Sequence, residues 1–239
     1  GSADNEGEAI TGGYLFEIDE RMGEEKKFLT TRGIPINVKD PKKPTDAQFE
    51  YVLQYFETAE AALYGTDFSD PSKGYGNYID LLSFVHNYII QELSRNVDGN
   101  MRLSNFLVKE RGGRIAHSHV WDFDLALGNC DYISTSWQGY QIKNVRWYER
   151  MTQDPEFISL LKKEWQRLYS QLYKVEDHVR DMALLIDDAQ KRNFKRWPIL
   201  NQIVWPNPVA HGSYEAELEY MLKYLNERAR WLNTEIMNM

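Results

Sequence analysis

Four oxygen-bearing side chains within residues 96–129 have the types and spacing for work on a charged substrate: Asp98, Asn105, Asp122 and Asp124. Asp98 opens a polar turn, and Asn105 heads the apolar run Phe106-Leu107-Val108. A turn at Gly112-Gly113 reverses the chain through Arg114-Ile115-Ala116 and leads to Asp122 and Asp124 beside Trp121 and Phe123. A two-residue glycine turn between apolar runs is a hairpin signal. The stretch therefore reads as two strands with polar ligands at their ends. Residues two apart on a strand share a face, so Asp122 and Asp124 would repel each other unless a cation or a proton intervened. A hard divalent ion such as Mg²⁺, which takes oxygen ligands and keeps several waters, is the natural neutraliser. Asp98 and Asn105 could add further oxygens. The competing reading is that all four are turn and capping residues, a common use of Asp and Asn.

Other residues carry weaker signals. His117 and His119 have the His-x-His spacing that can hold a transition metal, against the plainer reading of two ordinary strand residues. Glu92 could orient the Asp98 turn or be a solvated charge at a helix end. Cys130 has no activating neighbour in the sequence and is a poor candidate nucleophile.

The elements that must position these groups follow from pattern. Residues 1–10 are polar and are expected to form a disordered leader. Gly13–Asp19 alternates apolar and polar as a strand does, and Phe28–Thr31 and Ile34–Val38 look like further short strands. Thr45 and Gln48 form a capping-box pair at the head of a helix expected to run to Tyr64, with Gly65 as its stop. A second helix, beginning near Asn77 and passing Ile90, is apolar nearly all round and is expected to be buried on several sides. Residues 130–142 read as irregular. Helices are expected at 144–151, at 155–172 with Pro155 in its first turn, at 174–193, and from Ser213 to about Met237. The tryptophans spread along the helical half have spacings that favour core packing. The fold class is α+β: a short N-terminal strand region, a central β-hairpin and a mostly helical body.

Bulk properties bound the function. The chain has 239 residues, 42% of them hydrophobic and 27% charged, which is a composition for a packed core. Its net charge of -8 argues against nucleic acid as a partner, because phosphate backbones need clustered Lys and Arg. It suits divalent cations. One cysteine cannot form an internal disulfide. No apolar run reaches the ~18 residues of a membrane-spanning helix, and the start lacks the basic region and apolar core of a signal peptide.

Read together, Tyr78–Phe84, the string Gln91-Glu92-Leu93-Ser94-Arg95-Asn96-Val97-Asp98-Gly99, Ser104-Asn105-Phe106 and Val120–Asn129 resemble the CotH kinase family, named for a spore coat protein. Gly12–Asp19 and the segment Phe157 to Trp165 resemble that family too. The resemblance implies a protein-kinase-like fold, ATP and Mg²⁺ as cofactors, and phosphorylation of serine on secreted or coat proteins, hence an extracytoplasmic setting. By position, Asp98 would resemble the acid that receives the hydroxyl proton. Asp122 would resemble the metal-binding acid, with Asp124 sharing the ion and Asn105 as second metal ligand. Asn105 follows Asp98 by seven residues, whereas ordinary protein kinases space the pair by about five. His119 precedes Val120-Trp121 where the family often has Pro. The resemblance also implies that residues 11–239 are the C-terminal portion of the kinase domain, that the nucleotide-covering sheet and its lysine lie upstream, and that this portion by itself is inactive. The alternative class is a non-catalytic surface module for binding or assembly. A glycosidase with paired acids has only the aromatics in its favour.

Overall fold

A computed structural model describes residues 4–132 and 135–239, which form an α+β structure with a five-stranded antiparallel sheet. Its strands are β1 (Tyr14–Ile18), β2 (Lys27–Leu29), β3 (Pro35–Asp40), β4 (Asn105–Lys109) and β5 (Ile115–His117), in the order β2-β3-β1-β4-β5. The strand region and the hairpin, which read as separate pieces, are one sheet. β4 of the hairpin pairs along the whole of β1, from Tyr14 opposite Lys109 to Ile18 opposite Asn105.

The helices are α1 (Asp46–Tyr64), α2 (Leu81–Ser94), α3 (Arg146–Met151), α4 (Pro155–Tyr169), α5 (Tyr173–Leu185), α6 (Asp187–Arg196) and α7 (Tyr214–Met237). α1 begins as its sequence predicts. The Thr45 hydroxyl accepts the Gln48 N–H (3.2 Å), and the Thr45 N–H donates to the Gln48 side chain (2.9 Å). Its buried residues Val52, Phe56, Ala59 and Leu63 recur at helical spacing. Phe56 meets Phe16 of β1 edge to face at 5.1 Å and Phe28 of β2 at 5.6 Å. This apolar seam carries α1 on the sheet.

α2 starts later than its pattern predicts. Asp80 caps it by accepting the Ser83 N–H (2.8 Å), and Tyr75–Asn77 form a separate 3-10 turn. It is buried as expected and packs against α4, α7 and β5. The helix predicted over 174–193 is two helices, α5 and α6, broken at Ile186 (φ -97°, ψ 9°). Neither has a buried residue, so packing does not enforce one straight axis.

The leader's residues 1–3 lie outside the described part. From Asp4 on, the segment expected to be disordered is tied to the body. Gln48 donates to the Asp4 carbonyl (3.2 Å) and the Thr45 hydroxyl to the Asn5 side chain (2.5 Å), while Ala9–Thr11 form a 3-10 turn. The expectation that the tryptophans are core residues holds for Trp147 and Trp165 and fails for Trp197 (55% exposed) and Trp205 (73%). No helix among the described residues is long and apolar enough to cross a membrane.

Candidate active site

The site is built where α2 ends and the chain bends back into β4. Arg95 terminates α2 in the left-handed region (φ 51°). Met101 (φ 57°), fully buried, and Ser104 (φ 53°) repeat that conformation before Asn105 enters β4, and Asp122 (φ 66°) and Leu127 (φ 54°) adopt it in the facing segment. Five of the seven non-glycine residues with positive φ among the described residues thus fall within 95–127. Strained backbone of this kind persists where surrounding contacts over-determine it, and it gathers at functional sites. At Gly99 a Cβ would stand 1.7 Å from Oε1 of buried Gln91 on α2, so any side chain there would have to displace the end of Gln91.

Two backbone hydrogen bonds clamp the bend to the segment carrying the other acids. The Val97 N–H donates to the Leu125 carbonyl (3.1 Å), and the Leu127 N–H donates to the Ser94 carbonyl (2.7 Å). They place Asp98 within electrostatic reach of Asp122 and Asp124. Burial pushes the Asp98 carboxyl above the usual range, and the negative charges of Asp122 and Asp124 push it further. Arg21, from the β1–β2 connection, and Arg102 pull it back.

The route to this convergence differs from the predicted one. The turn of the hairpin spans Glu110–Arg114 rather than two residues, closed by the Gly113 N–H on the Glu110 carbonyl (2.9 Å) with Gly112 at φ 62°. The returning strand ends at His117, so Asp122 and Asp124 lie on a loop, and the same-face argument from strand periodicity does not apply to them. Asp122 is exposed and accepts the Ser104 hydroxyl (3.0 Å). Asp124 is exposed, and its carbonyl accepts from the Asn129 side chain (3.1 Å). Asn105 is buried. Its side-chain NH₂ donates to the Leu103 carbonyl (2.6 Å), and its Oδ1 has no hydrogen-bond partner. An orphaned buried acceptor is uncommon and calls for an explanation.

This donor set can be tested against a divalent cation. Among the described residues no three His, Cys, Asp or Glu side chains stand close enough to enclose a metal ion. That excludes a closed protein cage, which is not how Mg²⁺ is usually held. It takes one or two carboxylates, keeps waters and shares phosphate oxygens. Two exposed carboxylates and an unsatisfied amide oxygen fit that mode.

The family model of CotH kinase protein matches residues 3–232, nearly the whole chain. The chain belongs to the CotH kinase family. No curated protein matches it. Membership makes the chain kinase-like and, in general terms, directs it at a protein substrate.

The candidate site rests on an anchor at Glu92, for which the sequence left two readings open. Glu92, read there as a solvated helix-end charge or as an orienting residue, is fully buried. Its carboxylate accepts the N–H groups of Gln141 (2.8 Å), Ile142 (2.8 Å) and Lys143 (3.0 Å) and pairs with Arg228 of α7 at 2.8 Å. Arg228 also donates to the carbonyls of Glu92, Trp137 and Gly139. Burial raises the Glu92 carboxyl, while the three N–H groups and Arg228 hold it down. The pair fixes the end of α2, from which the Asp98 bend departs. The available signal was the setting: a glutamate inside a helix apolar on nearly every side has little water to face.

The two histidines do not act as a pair. His117 packs on Phe84 (4.4 Å between ring centroids) and meets the Tyr148 hydroxyl at 3.2 Å, and burial lowers its pKa to about 3. His119 is exposed and stacks on Phe106. Cys130 is buried.

Proposed function

We propose that the protein carrying this chain transfers the γ-phosphoryl group of ATP to a serine hydroxyl of a protein substrate, with Asp98 as proton acceptor and Asp122, Asp124 and Asn105 as the Mg²⁺-holding groups. The observation that carries the reading is the convergence of Asp98 with Asp122 and Asp124 across the two backbone clamps, in a chain of a kinase family. Asp122, Asp124 and Asn105 would hold the cation, whose charge would offset that of the transferring phosphate. Asp98, half-buried and repelled by its neighbours, is a carboxylate that gains from taking a proton. In hydrogen-bond reach of a serine, it would draw the hydroxyl proton as the oxygen attacks phosphorus. Arg21 and Arg102 would steady the surrounding negative charge. An extracytoplasmic setting is part of this proposal and follows the family's habit of acting on secreted or coat proteins.

The test is titration calorimetry of Mg²⁺ with a non-hydrolysable ATP analogue, together with transfer of labelled γ-phosphate to a protein acceptor. Asp122→Asn is expected to weaken metal–nucleotide binding by about tenfold or more, and Asp98→Ala to abolish transfer while leaving binding in place. Equal labelling by wild type and Asp98→Ala overturns the proposal. The exposed apolar side chains of α5 and the 197–209 loop favour a second role as an assembly surface, which Asp122→Asn would leave intact.

A further inference from the structure

A cavity of about 360 Å³ opens beside the acids. Phe123 and Leu127 line it from the segment after Asp122, Val204 and Val209 from the loop before α7, and Tyr220 and Met221 from α7 itself. Its volume and apolar lining are those of a ligand pocket rather than a packing defect. Asp124 forms part of its wall, so the cavity is continuous with the candidate active site. The other acid on the wall is Glu217, held by the His211 backbone N–H (2.8 Å). No lysine or arginine lines it among the described residues. Away from the Asp124 edge, where a Mg²⁺ would hold a nucleotide's phosphates, the wall offers them no lysine or arginine among the described residues, and its mostly apolar lining suits a neutral apolar group. Trp205, next in sequence to the wall residue Val204, stacks on Tyr132 with ring centroids 6.2 Å apart, and both side chains are more than half exposed. Tyr132 also lies within electrostatic reach of Asp98 and Asp124. An exposed Tyr–Trp pair near the acids and adjacent in sequence to a wall residue of the cavity has the composition of a peptide-binding hot spot.

We infer that this cavity receives a large apolar side chain of the acceptor polypeptide, a few residues from the serine presented to Asp98. The inference rests on the phosphotransfer reading and names its substrate class: serines flanked by Leu, Met or Phe.

The experiment uses the whole protein that carries this chain and fluorescein-labelled peptides with a central serine in an alanine background, leucine being moved through each flanking position. Anisotropy reads binding, and kcat/KM with Mg²⁺ and ATP reads transfer. One position is expected at which leucine tightens binding by about tenfold or more. Val209→Trp and Val204→Trp, each a partly exposed wall residue, are expected to abolish that gain with melting temperatures little changed. Asp98→Asn is expected to keep it. No leucine preference at any position, a preference that survives both tryptophan variants, or adenosine competing for the cavity each overturns the inference. The two readings fail differently. Leucine-selective binding without Asp98-dependent transfer refutes the phosphotransfer reading and leaves a peptide site. Transfer that ignores the flanking residue refutes the cavity's role and leaves the phosphotransfer reading standing.

Discussion

Replacing Arg228 by methionine removes one half of a fully buried ion pair while keeping an unbranched side chain of similar length. The guanidinium satisfies Glu92 and the carbonyls of Glu92, Trp137 and Gly139. Breaking a buried pair from one side costs about 3–5 kcal/mol, because the remaining charge is left without its partner. For a chain of this size each kcal/mol moves the melting temperature by about 2–4 °C, so Arg228→Met is expected to melt about 6–20 °C below wild type. Glu92→Gln keeps one oxygen, which can serve the Ile142 and Lys143 N–H groups, but it turns an NH₂ toward the Gln141 N–H and strands Arg228. Combining the two changes removes both charges and should cost less than the sum of the single changes, with a coupling of at least ~1 kcal/mol. Guanidinium unfolding followed by tryptophan fluorescence measures all four corners of the cycle. An Arg228→Met loss below ~1 kcal/mol, the level of a surface pair, or additivity of the two changes would refute the anchor.

The remaining predictions are shorter. His117 is neutral in the folded protein down to a pKa of about 3, against 6.5 when unfolded. The unfolded chain therefore binds the extra proton first as pH falls, and stability present above 6.5 is lost below it at about 1.4 kcal/mol per pH unit. His117→Gln should flatten that limb of the stability-versus-pH curve between 6.5 and 4, and an unchanged limb would count against the assignment. Gly99→Ala forces the Gln91 side chain from its buried position. It should lower stability by about 1–3 kcal/mol, whereas a melt equal to wild type would show that the bend is slack. Asp98 has a raised carboxyl pKa when folded, so its contribution to stability is lost as pH rises through that pKa. Asp98→Asn should thus melt higher than wild type at neutral pH in magnesium-free buffer, and a lower melt would contradict the repulsion among the three acids.

Local signals made most elements legible. The capping box at Thr45 and Gln48, Asp154 before Pro155 and Ser213 before α7 each put the satisfaction of helix-end N–H groups within four residues. What stayed hidden depends on groups far apart in the chain. β4 lies against β1 although residues 19–104 separate them, and neither strand's pattern names its partner. Glu92 could be read as orienting or as solvated, because its partner Arg228 lies 136 residues later and nothing local names it. α5 and α6 read as one helix because a break without Pro or Gly leaves no local mark, and Ile186 carries none.

The acids illustrate the same division of causes. Their identity and order sufficed to suggest a cation site, but the stated reason, strand periodicity at Asp122 and Asp124, is not what brings them together. The left-handed backbone at Asp122 and Leu127 and the clamps from Val97 to Leu125 and from Leu127 to Ser94 do so. Neither feature is encoded by a glycine or a turn motif at those positions. A left-handed Leu127 is unfavourable by itself, and it is held because its N–H caps the last turn of α2 at Ser94. The end of α2 is fixed in turn by Glu92 and Arg228. The geometry of Asp98 relative to Asp122 is therefore set by an ion pair that touches neither acid. Loosening that pair should separate the acids before it unfolds the sheet, because β1 and β4 are joined by their own ladder.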